Sequence, residues 1–224
     1  MKRWIVGALI AVAVLGGAGF TFWYTQIRVE SAPKASIKET PVDTASPDAS
    51  ADGAYTVQRG TDTFLGYRAR EVVFGRSQTP TGRTPGVDGT LTVSGTTISD
   101  VGITADLTGL STGEERRDAR AQTALGTSEH PDATFELTEP ITVGSEPVAG
   151  TKVSADATGD LTINGITKRV TFTLDALWNG ATIQVAASPD IAFSDFGVDV
   201  GGFAPIATVE DAGQLDIQLT FTKS

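Results

Sequence analysis

The chain has 224 residues, 40% hydrophobic and 20% charged, which is enough for one sizeable folded domain. It has no cysteine, which excludes a disulfide framework, a thiol nucleophile, a cysteine-ligated metal site and a lipobox anchor. The formal net charge of −10 is opposite to the basic footprint that nucleic-acid binding needs. Nucleic acid is therefore excluded as a partner.

The N-terminus reads as a membrane anchor. Lys2 and Arg3 precede an uncharged, mostly apolar run from Trp4 to Ile27. About 20 apolar residues span a bilayer core. Trp4 marks one end, and Phe22, Trp23 and Tyr24 the other, as aromatic residues do at bilayer interfaces. The basic start favours a cytoplasmic N-terminus and sends the rest outward. The competing reading is a cleaved signal peptide. Its apolar core would be shorter, about 7–15 residues, and Ala11-Val12-Ala13 falls inside the run here. The expectation is thus a single-pass cell-membrane protein whose domain lies on the extracytoplasmic side.

Three regions follow from composition. Residues 1–28 form a cytoplasmic stub and transmembrane anchor. Residues 29–53 are rich in Pro, Ser, Ala and Asp with no apolar period, and read as a flexible linker. Residues 54–224 carry the charge excess and the folded domain.

Period-two alternation recurs through that domain. Val101, Ile103, Ala105 and Leu107 share one phase, as do Val170, Phe172 and Leu174. Ile183, Val185 and Ala187 form a third set, and Leu215, Ile217, Leu219 and Phe221 a fourth. Each reads as a strand with one apolar face. Asn164-Gly165 and Asn179-Gly180 read as type I′ hairpin turns, with Ser94-Gly95 a weaker signal. One segment breaks the pattern. Thr112 and Glu115 have capping-box spacing, and the residues after them read as a short helix ending near Gly126. The expected class is all-β with one short helix, an antiparallel sandwich or barrel.

Catalytic signals are weak. His130, the one histidine, precedes Pro131 and has no partners at metal-site spacing. Neither Gly-x-Ser-x-Gly nor a phosphate loop occurs. Glu114-Glu115 and Glu210-Asp211 are sequence neighbours, which points their side chains apart in a helix or a strand. Gly86-Val87-Asp88-Gly89 lacks the alternating oxygens of a calcium loop. Not an enzyme, and no metal, is the expectation. The aromatics Phe64, Tyr67, Phe74, Phe135, Phe172, Trp178, Phe193, Phe196, Phe203 and Phe221 are spread over many strands. In a closed sheet they could line a cavity; ordinary core packing is the competing reading.

Several motifs, in order, resemble one family. Thr63-Phe64-Leu65-Gly66-Tyr67 is similar to an opening Ser-x-x-Gly-Phe strand, and Thr112-Gly113 with Arg117-Asp118 to a Thr-Gly…Arg-Asp helix. Pro131 to Phe135 resembles a Pro-x-x-x-Phe strand start. Gly159-Asp160-Leu161-Thr162-Ile163-Asn164-Gly165-Ile166-Thr167-Lys168 resembles a Gly-x-Leu-Thr-Ile-x-Gly-Val-Thr-Lys hairpin, and Ser194 to Val198 a Ser-x-Phe-Gly-Ile motif. Together, over about residues 54–222, they resemble the YceI-like lipid/polyisoprenoid-binding family. The chain departs from that pattern at Glu71 and Arg120, where the family often has His, and at Ala121, Ala124 and Leu125, where it has Leu and Phe-Phe.

The resemblance implies a lipocalin-like antiparallel eight-stranded β-barrel, here preceded by the transmembrane helix, holding a long apolar ligand. Tyr67, Leu125, Phe135, Phe172, Trp178 and Phe196 are the expected lipid-binding residues, with Arg117 and Arg120 meeting a polar headgroup. The expected function is a membrane-tethered cell-envelope lipid-binding protein for a polyisoprenoid or other long amphiphile. No cofactor is expected beyond a bound isoprenoid lipid or quinone. The alternatives are a protein–protein interaction module with a side-chain-filled barrel and, behind it, a hydrolase. Monomer and dimer are both open.

Overall fold

The computed structural model describes residues 31–38, 42, 50–201 and 207–224. The chain divides into two units, Met1–Ser31 and Ala32–Ser224, and the second holds the described fold. The anchor expected over residues 1–28 lies outside the described residues, as does Phe203. Among the described residues no helix is long and apolar enough to cross a membrane.

Strands dominate. They are β1 (Gly53–Val57), β2 (Phe64–Val73), β3 (Arg76–Gln78), β4 (Thr81–Thr84), β5 (Val87–Ser94), β6 (Thr97–Asp106), β7 (Asp132–Glu139) and β8 (Ile141–Thr142). Then come β9 (Lys152–Ile163), β10 (Ile166–Trp178), β11 (Thr182–Ala187), β12 (Asp190–Ala192) and β13 (Ala207–Lys223). Among the described residues one helix, α1 (Glu115–Ala124), and two 3₁₀ turns, Leu107–Gly109 and Phe193–Phe196, interrupt them. Antiparallel pairing runs β1–β5–β6–β7–β9–β10–β11–β13, and β13 pairs back onto β1. β2 lies beside β13, with β4 beside β2. The result is a closed eight-stranded antiparallel barrel with one helix, as the resemblance implied.

The alternation read from the sequence sets the inward face. Val101, Ile103 and Ala105 on β6, Phe172 and Leu174 on β10, and Leu215, Ile217, Leu219 and Phe221 on β13 all face the interior. Asn164 (φ 51°) and Gly165 (φ 72°) both adopt positive φ and turn β9 into β10, as a type I′ turn requires.

Two local expectations are corrected. Asn179 does not share the positive φ of Gly180 (φ 102°), so Asn179-Gly180 is not type I′. The Asn179 side chain instead accepts hydrogen bonds from the amides of Ala181 (3.0 Å) and Thr182 (2.8 Å), and that local bonding shapes a longer loop. The N-cap of α1 is Glu114, not Thr112. Its carboxylate accepts from the amides of Arg116 (3.3 Å) and Arg117 (2.8 Å). Thr112 is taken up elsewhere, its amide donating to Asp118 at 2.6 Å and its hydroxyl at 2.5 Å.

Residues 32–38 belong to the stretch read as a flexible linker. They lie extended along the outer wall, where the Ala35 amide donates to Asp216 (3.0 Å), the Ser36 amide to Gln218 (3.2 Å) and the Lys38 amide to Gln184 (2.9 Å). The partners are roughly 150–180 residues away in sequence, so no local signal could report them. Further along, Ala51 is buried within the barrel's apolar cluster and Asp52 accepts from the Gly95 amide at 2.6 Å.

Asp118 ties the approach of α1 to its first turn. Partial burial disfavours its charge, but the Thr112 hydroxyl and amide and the Ser111 hydroxyl outweigh this and hold its carboxyl below the usual value. A carboxyl with a depressed folded pKa adds stability above its unfolded value, about 3.9, and loses it as pH falls through the folded pKa. Acidification below about pH 4 is thus expected to loosen α1 before the barrel melts. Asp118→Ala should cost on the order of 1 kcal/mol at neutral pH. Amide exchange across residues 112–124 measured from pH 6 down to pH 2.5 checks both, and equal acid sensitivity in wild type and variant would contradict them.

Candidate functional site

Closing an alternating sheet puts half of each strand's side chains inside. Here they do not fill the space. A cavity of about 230 Å³, counted as the space open to the centre of a water molecule, runs through the barrel. One water needs only about 10–15 Å³ by that measure, so the lumen is sized for a chain-like guest. Its wall is almost wholly apolar. Inward residues such as Phe172, Leu174, Val185, Leu215 and Ile217 are only half-buried, because they front open space rather than packed neighbours.

Small residues create that space. Ala155, Ala157 and Gly159 stand in a row on the inward face of β9. Ala157 pairs with Phe172, and Phe172 meets Phe135 with ring centroids 5.6 Å apart. Gly159 lies under Phe135, where an added Cβ would come within 2.4 Å of the ring. Gly82 serves Tyr67 the same way, at 2.6 Å.

The six lining residues expected from the sequence all border this one cavity: Tyr67 from β2, Leu125 from the C-cap of α1, Phe135 from β7, Phe172 and Trp178 from β10, and Phe196 from the second 3₁₀ turn. The two ends differ. At the end away from α1, Trp178, Ile183, Leu219 and Phe221 pack with Ala51 and Tyr55. At the α1 end, Phe193, Phe196, Leu161 and Ile163 pack with Leu125 and Tyr67. Of the other aromatics, Phe193 and Phe221 also border the lumen. Phe64 is not part of the wall; the Arg83 guanidinium sits 3.9 Å over its ring. Phe74 is 55% exposed at the β2–β3 turn. Sequence reasoning that weighted aromatics passed over the aliphatic majority of the wall, including Leu65, Leu110 and Leu174. The inward phase of each strand was the signal for most of these.

Tyr67 is the one titratable group in the wall among the described residues. Its ring stands edge-on to Phe193, with centroids 6.3 Å apart. Burial pushes its pKa up to about 12; Arg117 opposes the rise, while Asp118 and Glu71 add to it. The phenol therefore stays neutral near physiological pH and can donate a hydrogen bond into the lumen. Arg117 is half-buried on α1, near enough to Tyr67 to influence its ionisation. Arg120 is exposed on the same helix, and neither arginine lines the cavity. His130 sits over the Gly165 turn on the exposed surface. No cluster of metal-binding side chains occurs among the described residues.

A family model described as the YceI-like domain matches residues 55–221. The chain belongs to the YceI-like family. Its YceI-like domain is 33% identical over 106 residues to a UPF0312 protein of Pseudomonas aeruginosa (strain LESB58) and, to the same degree, to Protein YceI of Escherichia coli O157:H7. Each match covers 44% of this chain and 51% of the relative, so the chain spans about half the length of the curated relatives it matches. Among solved structures, the fold is similar to a polyisoprenoid binding domain from Saccharophagus degradans implicated in plant cell wall breakdown. That match has a TM-score of 0.60 at 17% identity and covers 76% of this chain and 98% of that one. BcnA of Burkholderia cenocepacia is similar with a TM-score of 0.51 at 20% identity, covering 69% and 95%. At these identities the likeness is one of fold.

The Gly159–Phe135 contact makes the YceI-like lumen testable. Gly159→Val places a branched side chain against the Phe135 ring and the Glu136 carbonyl. Overpacking of this kind costs about 1–3 kcal/mol, or a fall of roughly 3–10 °C in Tm. Calorimetry of the variant checks it, and a Tm within a degree of wild type would contradict the close approach.

Proposed function

We propose that this chain is a membrane-tethered lipid-binding protein of the cell envelope, without catalysis of its own, that holds a polyisoprenoid or other long amphiphile inside its barrel. The observation that carries this reading is the unfilled apolar lumen. An interaction module with a side-chain-filled barrel would have no such space. Among the described residues the wall's one titratable group is a phenol whose pKa is pushed up to about 12, which favours a container over a hydrolase. The fold shared with a polyisoprenoid binding domain supports the same ligand class.

Energetics set a minimum length for the guest. Each buried methylene contributes about 0.8 kcal/mol, whereas association costs roughly 4–15 kcal/mol. With so few polar groups in the wall, on the order of ten or more buried carbons are needed before binding becomes firm. A quinone tail or polyprenyl carrier meets that need. Tyr67, Leu125, Phe135, Phe172, Trp178 and Phe196 hold the tail in this reading. The Tyr67 hydroxyl and Arg117 meet an oxygen-bearing head at the α1 end, with Arg120 on the outer side of the same helix. The apolar run at residues 4–27 keeps the barrel at the bilayer from which its ligand comes.

Native mass spectrometry of the protein purified from membranes should show co-purifying long-chain lipid. Ala155→Trp, which inserts an indole into the lumen, should abolish that lipid while leaving the circular-dichroism spectrum unchanged. Wild-type protein that repeatedly carries no lipid and takes up none from vesicles would overturn the reading. A second comparison addresses the head. Tyr67→Phe and Arg117→Gln should each weaken retention of a prenyl quinone several-fold, about 1 kcal/mol, while leaving retention of the bare prenyl hydrocarbon unchanged. Equal losses for both ligands would remove these residues from head recognition.

A further inference from the structure

Residues 32–38 form a continuous set of contacts on the outside of the barrel, remote from the lumen. Their backbone does not extend the sheet. It is gripped by side chains of the wall: Asp216, Gln218 and Gln184 accept the amides of Ala35, Ser36 and Lys38. In return, Arg68 donates to the Ala32 carbonyl at 2.5 Å and Arg83 to the Pro33 carbonyl. Lys38 closes the far end with an ion pair to Asp62. Ala32, Ala35 and Ile37 are partly buried, whereas Lys34, Ser36 and Lys38 are exposed. Asp216 and Arg68 are almost completely buried, although both point outward from the barrel. The grip is thus built from both sides, on five of these seven residues.

The position of this segment in the chain gives the contact a consequence. It lies immediately after the apolar run that ends at Ile27. A free coil over residues 28–50 would average roughly 26 Å end to end and could extend to about 80 Å. With residues 32–38 seated on the wall, the connection to the barrel shrinks to residues 28–31, which reach at most about 14 Å. We propose that residues 32–38 act as a leash that takes up the slack between a membrane anchor and the barrel, confining the barrel to the immediate membrane surface. The leash rests on the anchor reading above and is independent of which ligand the lumen takes. The partner that the outer wall fits is this chain's own segment, through an extended backbone read by Asp216, Gln218 and Gln184.

The test uses the full chain in vesicles, with two readouts. The chain has no cysteine, so Ser145→Cys, on an exposed loop, gives a single dye site. Time-resolved energy transfer from that dye to labelled headgroups should report one narrow distance distribution. Two variants release the leash from opposite sides. Asp62→Ala/Gln184→Ala removes the wall's grip on Lys38, and Ser36→Pro removes the amide that Gln218 accepts. Both should broaden the distribution. Trypsin should cut after Lys34 and Lys38 at least ten-fold faster in both variants than in wild type, while lipid retention stays unchanged. A wild-type distribution as broad as the variants', or equal cleavage in all three proteins, would overturn the leash. Protein that fails to float with the vesicles would also overturn it, by removing the anchor. Loss of lipid with an intact narrow distribution would instead count against the lumen reading alone.

Discussion

The structure depends on the alternation of a single long strand. β13 runs seventeen residues and pairs with β11 and β12 on one side and with β1 and β2 on the other, so it closes the sheet. Its period of two then does two jobs at once. Leu215, Ile217, Leu219 and Phe221 face the lumen. Asp216 and Gln218, between them, face outward and hold the backbone of residues 32–38. A slip of one residue in this register would put a carboxylate into the apolar interior and a leucine under the leash. Cavity and outer groove are therefore fixed by the same pairing.

How much of this was legible in the sequence follows from the range of each interaction. Strand phases were legible because alternation is local, and Asn164-Gly165 because both residues of its turn need positive φ. Asn179-Gly180 misled because the same dipeptide has a second option. The Asn179 side chain caps the loop and leaves only Gly180 with positive φ. Thr112 misled for a related reason. A capping box counts spacing, but Asp118 competes for the Thr112 amide and hydroxyl, and the cap passes to Glu114. At the lumen, aromatic residues gave a usable guide to position: the five singled out lie on its wall together with Leu125, although Phe64 and Phe74 do not. What they could not give was emptiness. That depends on Ala155, Ala157 and Gly159 lying opposite large side chains, a matter of register between strands rather than of any one strand.

An apolar lumen that side chains do not fill is costly in a folded protein. Each unfilled stretch forfeits the dispersion contacts that a packed core would supply. The barrel tolerates this because its stability comes from a closed hydrogen-bonded wall and from packed clusters at both ends. A guest that fills the lumen recovers the lost contacts and stabilises the folded state in proportion to its occupancy. The same reasoning places polarity. A donor in the middle of the lumen would interrupt tail packing, whereas Tyr67 lies at the α1 end, where a head meets the wall and the tail does not.

The outer charge cluster has a different logic. Arg83 donates to Asp216 through Nε (2.9 Å) and Nη2 (2.7 Å), and Arg68 brings its Nε within 3.4 Å of the other carboxylate oxygen without hydrogen bonding to it. Burying such a group is expensive, and on stability grounds alone an apolar surface would serve as well. What an apolar surface cannot do is bind an extended backbone, whose amides and carbonyls need partners once water is displaced. Here the charges supply them in both senses: Asp216 accepts the Ala35 amide, and the two arginines cap the carbonyls of Ala32 and Pro33. Arg68, Arg83 and Asp216 are thereby arranged less as a salt bridge for the barrel than as a seat for the segment that crosses them. That arrangement makes residues 32–38 part of the folded domain, although their composition is that of a linker.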